Sequence, residues 1–413
     1  MIKWIKIALR NILKNKRRSF VTLIAIAIGF AAVSLFQGYI HNTYEGLRKS
    51  AVRGEGLGHL TIYKQGWLEK GKIDPDKYMF SQEELKRISD LVGEDEDVIL
   101  ATPQINISGL VSNGRTSTIF LANGVIPRDD KTIKGAWAAF RRPVKGEGLS
   151  DKKPYGVEMG EDLASHLDLK PGGYGVIMAT TLDGQMNALD IEVAGTYDTG
   201  SSATNDKYMR VPFGFAQSLY DTEKADRVVV LLNDWNKTEA TRERLEDTLS
   251  GAGIACKIKT WNELSLFYLK VRGMFDMIFM FIFFIVFIIV IMSVVNTMGM
   301  AVLERTREIG TLRALGLKRR GVSLLFAVEG AMLGFLGTVF GIVLNVIVWA
   351  VIRAVGPTYI PPGYSSPVPL IVNLVPQSMF FLMLFLILLS LMAAILPARR
   401  AARQNVVDAL GHV

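Results

Sequence analysis

"ERTREIGTLRALGLKRR", Glu304 to Arg320, stands between "MIFMFIFFIVFIIVIMSVVNTMGMAVL" (Met277 to Leu303) and "GVSLLFAVEGAMLGFLGTVFGIVLNVIVWAVI" (Gly321 to Ile352). The run before it is uncharged for 27 residues, and Val322 to Ile352 carries a single charge, Glu329. A bilayer core needs ~20 apolar residues of helix, so both runs are long enough to span it. The charged segment then reads as a short exposed turnaround between two spans. Within it, Glu304 and Arg307, and Arg305 and Glu308, are spaced i,i+3, as pairs on one helix surface. Val302, Ile309 and Leu312 supply an apolar face, and Gly310 and Gly316 bracket the last turn.

Two further runs qualify as spans. Phe20 to Ile40 is uncharged for 21 residues, about 32 Å of helix at ~1.5 Å per residue. Ser378 to Leu396 follows Pro376 and is ended by Pro397. The first run exceeds the ~7–15 residues of a cleaved leader and is preceded by a complete amphipathic stretch, so it is read as a retained span. With 50% hydrophobic residues in 413, gathered into runs, the chain reads as a membrane protein.

Charge sets an expected orientation. Residues 1–18 hold seven Lys/Arg and no acid, residues 303–320 hold six Lys/Arg, and Arg399, Arg400 and Arg403 follow the last span. Short basic loops stay cytoplasmic, which puts both termini and residues 304–320 inside and the long insert outside. Residues 41–276 carry 30 basic and 35 acidic side chains, so the +8 total comes from the cytoplasmic pieces. Basicity of that kind gives no support for nucleic-acid binding. "IKWIKIALRNILKNKRRS" places Ile2, Ile5, Leu9, Ile12 and Leu13 at helical spacing, as in a helix lying in the membrane interface. It either anchors and orients the chain or contacts a cytoplasmic partner.

The insert mixes period-two segments ("HLTIYKQG", "INISGLVSNG", "TSTIFLANGV", "GVIMATTLDG", "LDIEVAGTYD", "RVVVLLND") with helical ones ("SQEELKRISDLVG", "GEDLASHLDL", "PFGFAQSLYD", "TEATRERLEDTLSGAG"). The fold class expected is therefore a membrane α-helical protein of four transmembrane helices, with a large α+β extracytoplasmic domain, two-lobed, between the first and second. "GEDEDV" (Gly93 to Val98) reads as a solvated charge run, since its spacing does not fit a calcium loop.

Catalytic and ligand-binding constellations do not emerge. One cysteine, Cys256, and four scattered histidines give no metal pattern, and the histidines read as surface groups. "LSGAG" (Leu249 to Gly253) is a helix end capped at Gly251, and the sequence contains no phosphate-binding G-x-x-x-x-G-K-[ST]. The chain itself is expected to bind no cofactor and no metal and to have no catalytic residues.

These segments, with "WNEL" (Trp261 to Leu264), the series Glu329, Gly330, Gly334, Gly337, Gly341, the tail "LPARRAARQNVVDAL" (Leu396 to Leu410) and "GVEMGEDLASHLDLKPGG" (Gly156 to Gly173), resemble the permease subunits of the MacB/LolC/LolE/FtsX-like ABC transporter superfamily, the type VII or mechanotransmission transporters. The resemblance covers essentially the whole chain. It implies that Glu304, Arg305, Arg307, Glu308, Ile309, Gly310, Leu312, Arg313, Leu315 and Gly316 form a coupling helix fitting a separate cytoplasmic ABC ATPase dimer, which binds the ATP and Mg. It also implies a second permease copy, identical or not, an inner-membrane location, and in some members a periplasmic carrier or adaptor. "AGTYDTGSSATNDKYMRVPFGFAQSLY" (Ala194 to Tyr220) looks more like the lipoprotein-releasing branch than the drug-efflux branch. The resemblance therefore implies export or extraction of a lipidic or amphipathic cargo such as a lipoprotein, with drug, peptide or toxin efflux and a non-transporting regulator of an external hydrolase as the alternatives. The family's Gly-x-x-x-Gly in the last span is replaced here by Ser390, Ala393 and Ala394, still small enough for close helix contact.

The expected organisation is an interfacial helix (1–18), spans at 19–40, 273–303, 322–352 and 377–397, and the external domain at 41–272. The coupling helix and loop take 304–320, an external loop 353–376, and a cytoplasmic tail 398–413. Gly330, Gly334, Gly337 and Gly341 are the expected helix-packing residues. Glu329, an acid inside a span, is either a functional group or a packing cap reaching the nearby interface.

Overall fold

The computed structural model describes residues 2–14, 16–135, 145–200, 202–361 and 367–403; the far end of the Leu396 to Leu410 tail and the middle of the Gly356 to Pro369 loop lie outside them. The chain opens with helices α1 (Ile2–Lys14) and α2 (Lys16–Lys49). Then come β1 (Leu60–Lys64), α3 (Trp67–Lys70), α4 (Pro75–Tyr78), α5 (Gln82–Gly93), β2 (Val98–Ser112), β3 (Ser117–Val125), α6 (Pro127–Lys134), β4 (Lys145–Gly146) and β5 (Gly156–Gly160). There follow α7 (Glu161–His166), β6 (Tyr174–Thr180), β7 (Met186–Tyr197), α8 (Ser202–Asn205), β8 (Tyr208–Pro212), α9 (Phe213–Tyr220), β9 (Arg227–Leu232), α10 (Thr238–Gly251), β10 (Cys256–Thr260) and α11 (Trp261–Leu264). The chain then runs through α12 (Leu266–Glu304), α13 (Thr306–Ala314), α14 (Arg319–Val355), β11 (Thr358–Tyr359), β12 (Val368–Pro369) and α15 (Pro376–Arg403).

Two compact units result. One holds the described residues of Met1–Tyr44, Val271–Thr358 and Pro369–Val413, the other Glu45–Lys270 with the hairpin residues between Tyr359 and Val368. The first is helical and contains four helices long and apolar enough to cross a membrane. Its interior is built from Ile26 and Phe30 of α2, Val290 and Val294 of α12, Phe326 and Leu333 of α14, and Leu386 and Ala394 of α15. Large apolar side chains such as Phe281, Phe284, Phe340 and Leu388 stay exposed, as expected of surfaces whose solvent is hydrocarbon.

The glycines of α14 serve two different neighbours. A Cβ at Gly330 would lie 2.7 Å from the carbonyl oxygen of Ser390, and one at Gly334 2.9 Å from the Ser390 Cβ. One at Gly337 would lie 2.7 Å from Ile26 Cβ, and one at Gly341 2.8 Å from Phe30 Cβ. The first pair brings α14 against α15, the second against α2. Helix α15 does not stop at Pro397 but continues to Arg403. The proline ring removes one amide donor without ending the helix, while Ala394, Ala398 and Ala402 keep its inner face buried.

The second unit carries a ten-stranded sheet in the order β10-β1-β9-β2-β3-β8-β5-β7-β4, with β6 bridging β2 and β7. Pairings β3–β8 and β5–β7 are parallel and the rest antiparallel. Two apolar cores lie on it. One gathers Leu60, Ile62, Ile88, Val228, Val230, Leu245 and Leu249 under α5 and α10. The other gathers Ile105, Phe120, Met159, Leu163, Ile177, Val193 and Val211 under α7 and α9. Strand β2 belongs to both halves: Val98 to Gln104 pair with β9, and Ile105 to Ser112 pair with β3.

Local chemistry explains several boundaries and corrects some sequence readings. Helix α5 starts with a capping box, Ser81 Oγ accepting from the Glu84 amide (3.2 Å) and Glu84 Oε2 from the Ser81 amide (2.8 Å). Gly251 is the last residue of α10 and not its cap; the left-handed residue is Gly253, at φ +75°. The acidic run is not simply solvated: Asp95 is bound by Arg244 (3.1 Å), and buried Asp97 by Lys237 (2.6 Å) and Arg244 (2.9 Å). His59 is likewise no surface group. It is 7% exposed, and its Nδ1 accepts the amide of Leu232 at 2.9 Å.

Candidate functional site

The segment after the second span is two pieces joined at one residue. Helix α12 ends at Glu304, Arg305 adopts φ −111° and ψ 15°, and α13 begins at Thr306. Gly316 stops the turn after α13 at φ +98°, a conformation that costs a side-chain-bearing residue about 1–2 kcal/mol. Lys318 is extended, and α14 leaves from Arg319.

Arg305 is the hub of the joint. Its Nη1 donates to Glu329 Oε1 at 2.9 Å, and its Nε to Glu308 Oε2 at 3.0 Å. Its guanidinium lies 5.7 Å from the Phe326 ring centroid. Glu329, 2% exposed, also accepts a hydrogen bond from Asn11 Nδ2 of α1. Two further ion pairs reach the joint from the N-terminal helices: Arg18 with Glu304 at 2.6 Å and Lys14 with Glu308 at 3.7 Å. The Arg305 hydrogen bond, with smaller help from Lys14, holds the Glu308 carboxyl below its ordinary value. A cavity of about 20 Å³, lined among others by Asn11, Arg18, Arg305 and Glu329, sits beside the cluster; that is roughly enough for one water.

The residues expected to form a coupling helix are divided by this arrangement. Thr306, Ile309 and Gly310 are buried in the helical unit. Leu312 is 40% and Leu315 81% exposed, and Arg307 is exposed as well. The expected Arg305–Glu308 pair is present, and Glu304 binds Arg18. Of the expected apolar face, Val302 and Ile309 are buried and Leu312 is exposed. On α1, Ala8 and Ile12 are buried, while Ile7, Leu9 and Leu13 are exposed.

Sequence reading missed Asn11, Lys14 and Arg18 as members of this site. Asn11 and Glu329 are 318 residues apart, and the N-terminal basic stretch was read as an orienting anchor or a contact to a cytoplasmic partner, not as a neighbour of residues 304–329. The few acids on this side, Glu304, Glu308 and Glu329, among the many basic residues of 1–18 and 303–320 were the available clue.

Comparison with known proteins gives matches along most of the chain. Residues 19–248 match the MacB-like periplasmic core domain, and residues 280–406 the FtsX-like permease C-terminal family. The chain is 23% identical to an uncharacterized ABC transporter permease of Methanocaldococcus jannaschii, covering 98% of this chain and 97% of the relative. It is 23% identical to the lipoprotein-releasing system transmembrane protein LolC of Neisseria meningitidis, over 84% and 83%. It is also 23% identical to the uncharacterized ABC transporter permease YknZ of Bacillus subtilis, over 99% of each. A crystal structure of the periplasmic region of MacB from Actinobacillus actinomycetemcomitans aligns with a TM-score of 0.37 at 16% identity, over 52% of this chain and 93% of that one. A permease of this kind works with an ATPase subunit as its partner. Four long apolar helices, the α+β domain between the first two, and a family match over more than half of its length make this chain a multi-pass membrane permease subunit of an ABC transporter, and it belongs to the MacB/FtsX-like family.

Proposed function

We propose that this permease stands in the inner membrane with both termini cytoplasmic and couples ATP hydrolysis to movement of its external domain. Residues 304–316 dock on a separate cytoplasmic ATPase dimer, which holds the ATP and Mg. A second permease copy, identical or related, completes the complex. The observation that carries this reading is the change of exposure along this segment: Thr306, Ile309 and Gly310 are buried in the helical unit, while Leu312 and, just past the end of α13, Leu315 are exposed. An exposed apolar pair on a short helix suits a groove on a soluble partner. The basic residues of 1–18, 303–320 and 399–403 support the orientation.

The cargo in this reading is lipidic or amphipathic, such as a lipoprotein, extracted from the membrane or handled at its outer face. Apart from Glu329 the four apolar runs are uncharged, which suits such cargo better than a hydrophilic solute needing a polar pore. The likeness to LolC supports the lipoprotein among these. A periplasmic carrier or adaptor then receives it.

The test uses a Cys256→Ser background with Leu315→Cys. A membrane-impermeant maleimide is expected to label inside-out vesicles and to leave intact cells unlabelled; labelling of intact cells removes the reading. With the orientation set, Leu312→Asp combined with Leu315→Asp is expected to abolish co-purification of the ATPase and to lower hydrolysis by the complex at least tenfold. Undiminished co-purification would refute the docking assignment.

A further inference from the structure

We infer that Glu329 is the positioning residue of the coupling segment, fixing α13 to α14 through Arg305 so that force on α13 is not lost in bending at the joint. The inference rests on the coupling reading above.

A buried carboxylate within a span is costly unless a specific partner repays it. The partners of Glu329 come from elements far apart in sequence, Asn11 on α1 and Arg305 at the joint between α12 and α13. Arg305 is the residue at which the helix is broken. Without a restraint, a one-residue break between two helices is a hinge. Here the same guanidinium is held on one side by Glu329 of α14 and on the other by Glu308 of α13. The three groups form a brace across the hinge.

The brace is seated on a stiff support. Gly330, next to Glu329, allows α14 to lie against the backbone of α15 at Ser390. Phe326, 0% exposed, lies one turn below under the Arg305 guanidinium. The side chains of Glu329 and Arg305 are largely withdrawn from solvent, 3% and 16% exposed, so water competes little for their hydrogen bond. The exposed pairs, Lys14–Glu308 and Arg18–Glu304, are screened by water and hold the joint far less firmly.

The experiment is pulsed electron–electron resonance on the full chain in lipid nanodiscs, with nitroxides at Leu315→Cys and Leu13→Cys in the Cys256→Ser background. The unmodified joint should give one narrow distance distribution. Glu329→Gln and Arg305→Gln should each at least double its width, the two together should widen it no further, and Glu329→Asp should restore most of the narrowing. An unchanged width in Glu329→Gln, or additive broadening in the double variant, overturns the inference. Arg305→Gln, which lies outside the apolar run, decides the matter if Glu329→Gln does not accumulate. In the complex, Glu329→Gln should keep the ATPase bound while permease-dependent hydrolysis falls about tenfold. Leu312→Asp alone, which leaves the label at position 315 in place, tests the underlying reading separately, because it should release the ATPase while leaving the distance distribution narrow.

Discussion

His59 shows how a single side chain can be misread from sequence and still carry a measurable signature. Its Nδ1 accepts the Leu232 amide, which requires the neutral ring. Burial, then the nearby Arg53 and Arg48 charges, depress its pKa from 6.5 to about 4. The unfolded chain takes up this proton at about 6.5 and the folded chain only near 4, so the unfolded state binds more protons in between. The stability due to this group is therefore complete above 6.5 and is lost as the pH falls towards 4, by roughly 1.4 kcal/mol per unit. Urea unfolding of the α+β domain, followed by tryptophan fluorescence at pH 7, 5.5 and 4.5, should show this loss, and His59→Gln should show a shallower dependence. An equal dependence in the variant would contradict the assignment. Nothing in "LGHLTIY" separates a buried histidine from an exposed one, because its partner is 173 residues away. Glu329 was legible as an exception, since an acid in an apolar run stands out, but its partners were not.

At the level of the element, periodicity was the reliable guide. The α14 glycines recur every three or four residues, so one helix face was readable as small; that they would divide between α15 and α2 was not, because composition does not name a neighbour. Gly330→Ala should lower the stability of the helical unit by about 1–3 kcal/mol, since its Cβ would meet the backbone of Ser390. Gly299→Ala, whose Cβ would meet nothing within 4 Å, should be close to neutral. Thermal melts in one detergent compare the two, and equal melting temperatures would refute close contact at Gly330. The break at Arg305 was invisible to sequence reading: "LERTREIG" has neither proline nor glycine near the joint itself, and local propensity alone favours one unbroken helix. Side-chain partners at Glu329, Glu308 and the Val302 carbonyl, to which Thr306 Oγ1 donates at 3.0 Å, provide local interactions at the break.

For the whole molecule, the order of apolar runs and basic loops sufficed to place four spans and one inserted domain. Two lobes were expected in that domain. There are two cores, but they share one sheet, and strand β2 runs for 15 residues through both. Alternation within "INISGLVSNG" showed the later half of this strand; its extension back to Val98 depends on pairing with β9, whose sequence lies more than 120 residues downstream. Hydrogen exchange on the full chain should therefore find the amides of Val98 to Gln104 and of Ile105 to Ser112 opening with similar free energies. A large gap between them would mean that the halves come apart independently. If they open together, β2 acts like the keel of a hull: neither flank can be cut away, swapped or left to fold late without leaving the other with an unfinished seam. Permutation or fragment complementation of this domain should then succeed only when the cut avoids residues 98–112.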